Sequence, residues 1–232
     1  MFGPLKDLFR GSRGGPQDLG APSAADGTRP IPAPFRSGPT TVDKRSSRGL
    51  EEFFAQIRDQ SGLTILDLGG ATQKNVSFIT ELGHRLYSED FLAILHETFG
   101  DGETEQCNPG QIEYFLKQTL DYPDGQFDGV LVWDVLEYLN PALLNAVIER
   151  LHKVVKPKSY MLAFFHSDDK LQGVPCYTFR IAEVNALEVS QQGLRKPAQL
   201  FNNRSLEKLF GRFDSVKFFL TRERLREVII RA

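Results

Sequence analysis

The residues best placed to do chemistry are acids and glycines at the ends of apolar runs. Asp67 lies near the end of the run Leu63–Leu68 and is followed by the pair Gly69-Gly70. Asp90 closes the next such run, His84–Glu89, after an intervening stretch of helical period. A glycine turn lets a ligand reach the backbone, and a carboxylate at the tip of the next strand accepts hydrogen bonds from both hydroxyls of a ribose. That spacing describes a nucleoside-cofactor site. It is not a phosphate loop, because no Gly-Lys-Ser/Thr sequence follows the glycines. No set of His, Cys and carboxylates has metal-ligand spacing, so no metal is expected. His166 follows another apolar run and is the one His expected at a strand's carboxyl edge, where it would serve as a general base or be an exposed or capping residue.

The elements that must hold these residues are legible from period and punctuation. A strand over Leu63–Leu68, a helix from about Lys74 with Val76, Ile79 and Leu82 inward, a glycine stop at Gly83 and a strand over His84–Glu89 make a βαβ unit. Gly49–Gln60 carries the stripe Leu50, Phe53, Phe54 and Ile57, and Phe91–Phe99 reads as a further helix. Residues 103–120 are ambiguous: an edge strand is expected around Tyr114–Leu120, although Gln111–Leu120 also fits a helix. Phe127–Trp133, nearly all apolar, reads as a parallel strand covered on both faces. Asn140-Pro141 opens a helix, Pro157 is expected to stop it, and Ser159–Phe165 is the next strand. Tyr177–Ile181 and Ala186–Val189 can pair as a hairpin over the site. Arg204–Phe213 is a last helix, and Ser215–Leu220 with Arg226–Ile230 an antiparallel final pair.

Two of these stretches together resemble the class I S-adenosylmethionine-dependent methyltransferases. In TILDLGGATQKNVSFITELGHRLYSED, residues Asp67, Gly69, Gly83, His84 and Asp90 fall on that family's first motif, and YPDGQFDGVLVWDVLEYL resembles its stretch around the fourth strand. The resemblance covers roughly residues 50–232. It implies a Rossmann-like α/β fold with a seven-stranded, mostly parallel sheet, a C-terminal antiparallel strand pair and helices on both faces. It also implies S-adenosylmethionine as cofactor, bound by Asp67, Gly69, Gly70 and Ala71, with the Gly69–Thr72 backbone against its methionine part, Asp90 on the ribose and Asp134 facing cofactor or substrate. Asp134 and His166 are the candidates for catalytic roles. Trp133 divides evenly between core and adenine neighbour, and Glu137 reads as an orienting or capping residue. Two departures stand out: the family's second and third motif glycines are Ala71 and Gln73 here, and the acid often found after the third strand has no clear counterpart.

Composition bounds the rest. The chain has 232 residues, 41% of them hydrophobic, with 18 Phe, enough for one domain with a substantial core. A net charge of −2 gives no strong nucleic-acid signal. Two cysteines without CxxC spacing point to reduced thiols and a cytoplasmic setting, and no apolar run approaches the length of a membrane span. Residues 1–47 carry seven Pro and seven Gly and are read as a disordered basic tail, a possible contact for a partner. Residues 48–232 are read as the methyltransferase-like domain, with 166–200 a substrate-side insertion. The function expected is methyl transfer to an unknown acceptor, by in-line displacement that relies chiefly on positioning. A catalytically inactive scaffold of the same fold is the alternative, and a nicotinamide-dependent oxidoreductase is disfavoured by the absent glycine fingerprint.

Overall fold

The structure is a computed structural model that describes residues 42–100, 106–167, 173–221 and 225–232. In chain order its elements are β1 (Val42–Ser46), α1 (Arg48–Ile57), β2 (Thr64–Asp67), α2 (Gln73–Glu81), β3 (Arg85–Ser88), α3 (Phe91–Phe99), α4 (Pro109–Thr119), β4 (Phe127–Trp133), a 3-10 turn (Val135–Tyr138), α5 (Pro141–Val154), β5 (Val155–His166), β6 (Val174–Glu183), β7 (Ala186–Arg195), α6 (Asn203–Leu209), β8 (Ser215–Leu220) and β9 (Leu225–Arg231).

The main sheet has the order β3-β2-β4-β5-β9-β8. Pairings from β3 through β5 are parallel, whereas β9 runs antiparallel to both β5 and β8. One face is covered by α3 to α6 and the other by α1, α2 and a small second sheet. The α/β class, helices on both faces and the antiparallel ending agree with the expected fold.

The expected seventh strand is replaced by α4. Its apolar positions Ile112, Phe115, Leu116 and Thr119 repeat at helical intervals, and Asn108 caps the helix through Oδ1 to the Gly110 and Gln111 amides, with Pro109 at the first helical position. Six strands therefore form the sheet among the described residues, with α4 where an edge strand was expected. The helix before β5 also ends earlier than Pro157. Its last residue is Val154, and Pro157 lies inside β5, where the ladder shifts register between Gly129 and Phe127 of β4.

Residues 42–46, read from the sequence as part of the tail, form a strand of the domain. β1 pairs antiparallel with β7 over Val42–Ser46, and β7 pairs with β6, so residues 42–46 and most of 174–195 form one three-stranded sheet in the order β1-β7-β6. Residues 1–41, which carry the rest of the expected tail, lie outside the described residues. Ser47 links the two parts, since its Oγ caps α1 through the Leu50 amide at 3.0 Å. The buried Glu227 of β9 accepts from the Gly49 amide at 2.5 Å and fixes that helix start on the sheet. No helix among the described residues is long and apolar enough to cross a membrane.

Candidate functional site

β2 has β3 on one side and β4 on the other, so the chain leaves its carboxyl end at the switch in strand order where α/β sheets bind ligands. Three groups of residues meet along this edge.

The first is the tip of β2 and β3. Gly70 takes φ +82, a left-handed value that favours glycine, and its amide donates to Glu89 O at 3.0 Å. A Cβ at Gly70 would lie 3.5 Å from the Asp90 carboxylate. Asp90 is exposed, and its Oδ1 caps α3 through the Ala93 amide at 3.1 Å. Ala71 is exposed beside it. Gln73 lies along α2, its amide donating to Ser77 Oγ at 3.2 Å, and lines a groove of about 410 Å³ between that helix and the second sheet.

The second group closes over Gly69. The Trp133 indole N–H donates to Asp67 Oδ1 at 2.6 Å, and a Cβ at Gly69 would stand 2.6 Å from the indole Cδ1. Trp133 is 1% exposed, has φ 57 and stacks on Phe179 of β6 with centroids 5.2 Å apart at 7°. Asn75 completes the closure. Its amide donates to Asp67 Oδ2 and to Phe179 O, and its carbonyl accepts from the Ile181 amide at 2.8 Å. Burial pushes the Asp67 carboxyl up, opposed by its bonds from Trp133, Gly69 and Asn75. Trp133 is thus core, and β6 is pinned over the carboxyl end of β2.

The third group follows β4 and β5. Glu137, on the 3-10 turn and fully buried, accepts from the His166 amide through Oε1 at 2.6 Å and lies 2.6 Å from His166 Nδ1 through Oε2. His166 is 6% exposed, its ring stacked on Tyr177 at 6.0 Å. It is neither an exposed residue nor a simple cap. Asp134 is 2% exposed, and burial, then the Glu137 charge, push its carboxyl up to about 7. Asp134 Oδ2 and His166 Nε2 are buried without a hydrogen-bond partner. Alongside, the Tyr138 hydroxyl lies 3.5 Å from Cys176 Sγ, and burial pushes both groups up.

Gly69, Gly70 and Asp90 are therefore brought together at one edge, and Asp134 lies near Glu137 and His166 at another. Sequence reasoning missed Asn75, Phe179 and the Trp133–Asp67 bond. Each joins elements far apart in the chain, and Asn75 alone carried a signal, as a polar residue at an inward position of α2.

A mixed sheet with a reversed last strand and helices on both faces defines a methyltransferase-like α/β domain. A family model described as a methyltransferase domain matches residues 41–215, and the chain belongs to that family. S-adenosylmethionine is the cofactor of this family. The fold is similar to that of a Burkholderia thailandensis 1,6-didemethyltoxoflavin-N1-methyltransferase bound to 1,6-didemethyltoxoflavin and S-adenosylhomocysteine (15% identity, 79% of this chain, 76% of that one, TM-score 0.44). It is also similar to an S-adenosylmethionine-dependent methyltransferase from Methanosarcina mazei (16% identity, 74% and 93% covered, TM-score 0.45) and to one from Archaeoglobus fulgidus (14%, 79% and 94%, 0.44). No curated protein matches the sequence.

The residues present fit this cofactor at one end. An exposed carboxylate beside a left-handed glycine suits the ribose. At the other end the indole of Trp133 already bonds Asp67 and covers Gly69.

Proposed function

We propose that the protein is an S-adenosylmethionine-dependent methyltransferase that passes the methyl group to an acceptor by in-line displacement. The carrying observation is the pairing of Gly70 with the exposed Asp90 at the carboxyl edge of β2 and β3. Asp90 would hold the ribose hydroxyls, while Gly69, Gly70 and Ala71 offer backbone and Asp67 and Asp134 line the same edge. When bound, the cofactor supplies an electrophilic methyl carbon on a sulfonium. The protein's own contribution is to orient the acceptor and exclude water, and orientation alone is worth on the order of 7–11 kcal/mol.

A second reading has its own support. Trp133 occupies the amino-acid end with an N–H where a ligand's ammonium would lie, which suits a domain that keeps the fold as a scaffold. Calorimetric titration with S-adenosylhomocysteine separates the two. The enzyme reading expects measurable affinity, weakened in Asp90→Ala by about 1.5–3 kcal/mol, the range for hydrogen bonds to a charged group. Undetectable binding by the wild type would leave the scaffold.

A further inference from the structure

We propose that Glu137 and His166 form a base site for a neutral hydroxyl, the chemical class of acceptor this edge would take. The inference rests on the methyltransferase reading for its purpose, but its chemistry stands on the geometry of the pair. Nδ1 of His166 lies 2.6 Å from a carboxylate oxygen that can only accept, so Nδ1 carries the proton. In the neutral ring Nε2 then holds a lone pair, and it is buried without a partner. A backbone amide and a ring nitrogen of one residue both bind one carboxylate, so the ring is fixed in orientation as well as in tautomer.

Asp134 supplies the other half. Its Oδ2 is likewise buried and unpartnered, and it feels the charges of both Glu137 and His166. Two orphaned polar atoms on electrostatically coupled neighbours are costly unless a polar group reaches them. A hydroxyl meets both demands, donating to Nε2 and bonding the Asp134 carboxyl through its oxygen. The step is a proton transfer. The O–H bond breaks, the proton passes to Nε2, and the bonding pair stays on oxygen, which becomes the nucleophile. The imidazolium so formed is balanced by Glu137. An acceptor that arrives as a carboxylate has no proton to give and meets Glu137 as a like charge. The nearby rings of Tyr138 and Tyr177 suit a flat, phenolic hydroxyl.

The test needs neither cofactor nor the natural acceptor. 4-Nitrophenol turns yellow on losing its proton, and 4-nitrobenzoate has the same frame with a carboxylate. Titrated into the full chain below the phenol's own ionisation, 4-nitrophenol should bind and yellow, and 4-nitrobenzoate should bind at least tenfold more weakly. His166→Asn keeps a donor towards Glu137 but removes Nε2, so the fold is retained and the colour lost. Glu137→Gln is the sharper variant. The His166 amide can only donate, so the new amide oxygen must face it and the NH2 must face Nδ1. That forces the proton onto Nε2, and binding should persist with the colour change reduced at least tenfold. A purely structural Glu137 would leave the colour unchanged. No binding by the wild type, equal binding of the two probes, or equal yellowing in wild type and His166→Asn would each overturn the proposal. S-adenosylhomocysteine titrated into the same samples reads the methyltransferase assignment separately.

Discussion

The two ends of the crevice at β2 are built in opposite ways. Towards β3, Gly70 and Asp90 meet at the surface, and the Asp90 side chain caps α3. Towards β4, Asp67 is buried under Trp133, Asn75 and the β6 backbone, each bonded to another. One glycine separates the two environments. The difference teaches that adjacent positions of one motif can serve different purposes: Gly70 is required by its own backbone, whereas Gly69 is required by the ring that lies on it. An open end keeps its polar groups for a ligand, while a closed end satisfies them within the chain.

Removing the ring is the strongest way to break this contrast. Trp133→Ala deletes a fully buried side chain with a stacked partner and a charge-assisted hydrogen bond, and should cost about 3–5 kcal/mol in urea unfolding. Where folded, it should bind S-adenosylhomocysteine more tightly than wild type and adenosine no differently, because adenosine lacks the amino-acid chain. If the S-adenosylhomocysteine affinity dropped while adenosine stayed level, Trp133 would be a ligand contact and the end would not be closed.

The buried acid that follows Trp133 gives the next effect. Asp134 is raised to about 7 by burial and by Glu137, so the folded state holds its proton more tightly than the unfolded chain, where a carboxyl titrates near 4. Its contribution is therefore most favourable below about pH 4, is lost progressively as pH rises towards 7, and is constant above. Wild type should lose a few kcal/mol across that window on account of this group, at roughly 1.4 kcal/mol per pH unit. Asp134→Asn, which cannot ionise, should flatten that part of the profile. Parallel profiles for the two proteins in chemical denaturation would remove Asp134 from the account.

Much of the open end was legible in the sequence, and little of the closed one. The glycine turn, the α2 stripe and the tip acid are read from local spacing, because a βαβ unit places neighbours in sequence as neighbours in space. Asn140-Pro141 correctly marked a helix start. The same pair at Asn108-Pro109 opens α4, yet the apolar content of Tyr114–Leu120 suggested a strand. β1 was invisible: VDKRS has no apolar alternation, and it is a strand only because β7, more than a hundred residues on, supplies its partners. The bonds of Trp133 to Asp67 and of Glu137 to His166 also span 66 and 29 residues of chain, and no periodicity encodes them.

Substitution within the turn sharpens the comparison at finer scale. Gly69→Ala drives a methyl to 2.6–2.8 Å from the indole, and the stacked Phe179 blocks the ring's retreat, so a loss of about 1–3 kcal/mol is expected. Gly70→Ala meets only an ordinary 3.5 Å contact with Asp90, but must hold φ +82, at about 1–2 kcal/mol. The origins of these costs can be told apart. Trp133→Ala in the same chain should relieve the first and leave the second unchanged, as thermal melts of the double mutants will read. Equal rescue of both would mean that Trp133 holds the whole turn.

The smallest effect is expected where the family pattern departs most visibly. Ala71 and Gln73 stand at the places of two motif glycines, and side chains there would seem to crowd a ligand. Ala71 is exposed, and Gln73 lies along α2, bonded to Ser77 and lining the groove between α2 and the second sheet. The Trp133 ring and Asp67 Oδ1 are the groups that crowd Gly69. Restoring glycine at both positions should therefore change S-adenosylhomocysteine affinity by no more than about 0.5 kcal/mol, the range of surface substitutions away from special features. Stability should fall slightly, since glycine in the first turn of α2 adds unfolded-chain freedom. A tenfold gain in affinity would locate the obstruction in the loop instead of the ring. With the double mutant silent and Trp133→Ala responsive, the closure of this site belongs to one side chain from β4, and the altered glycine pattern is only its accompaniment.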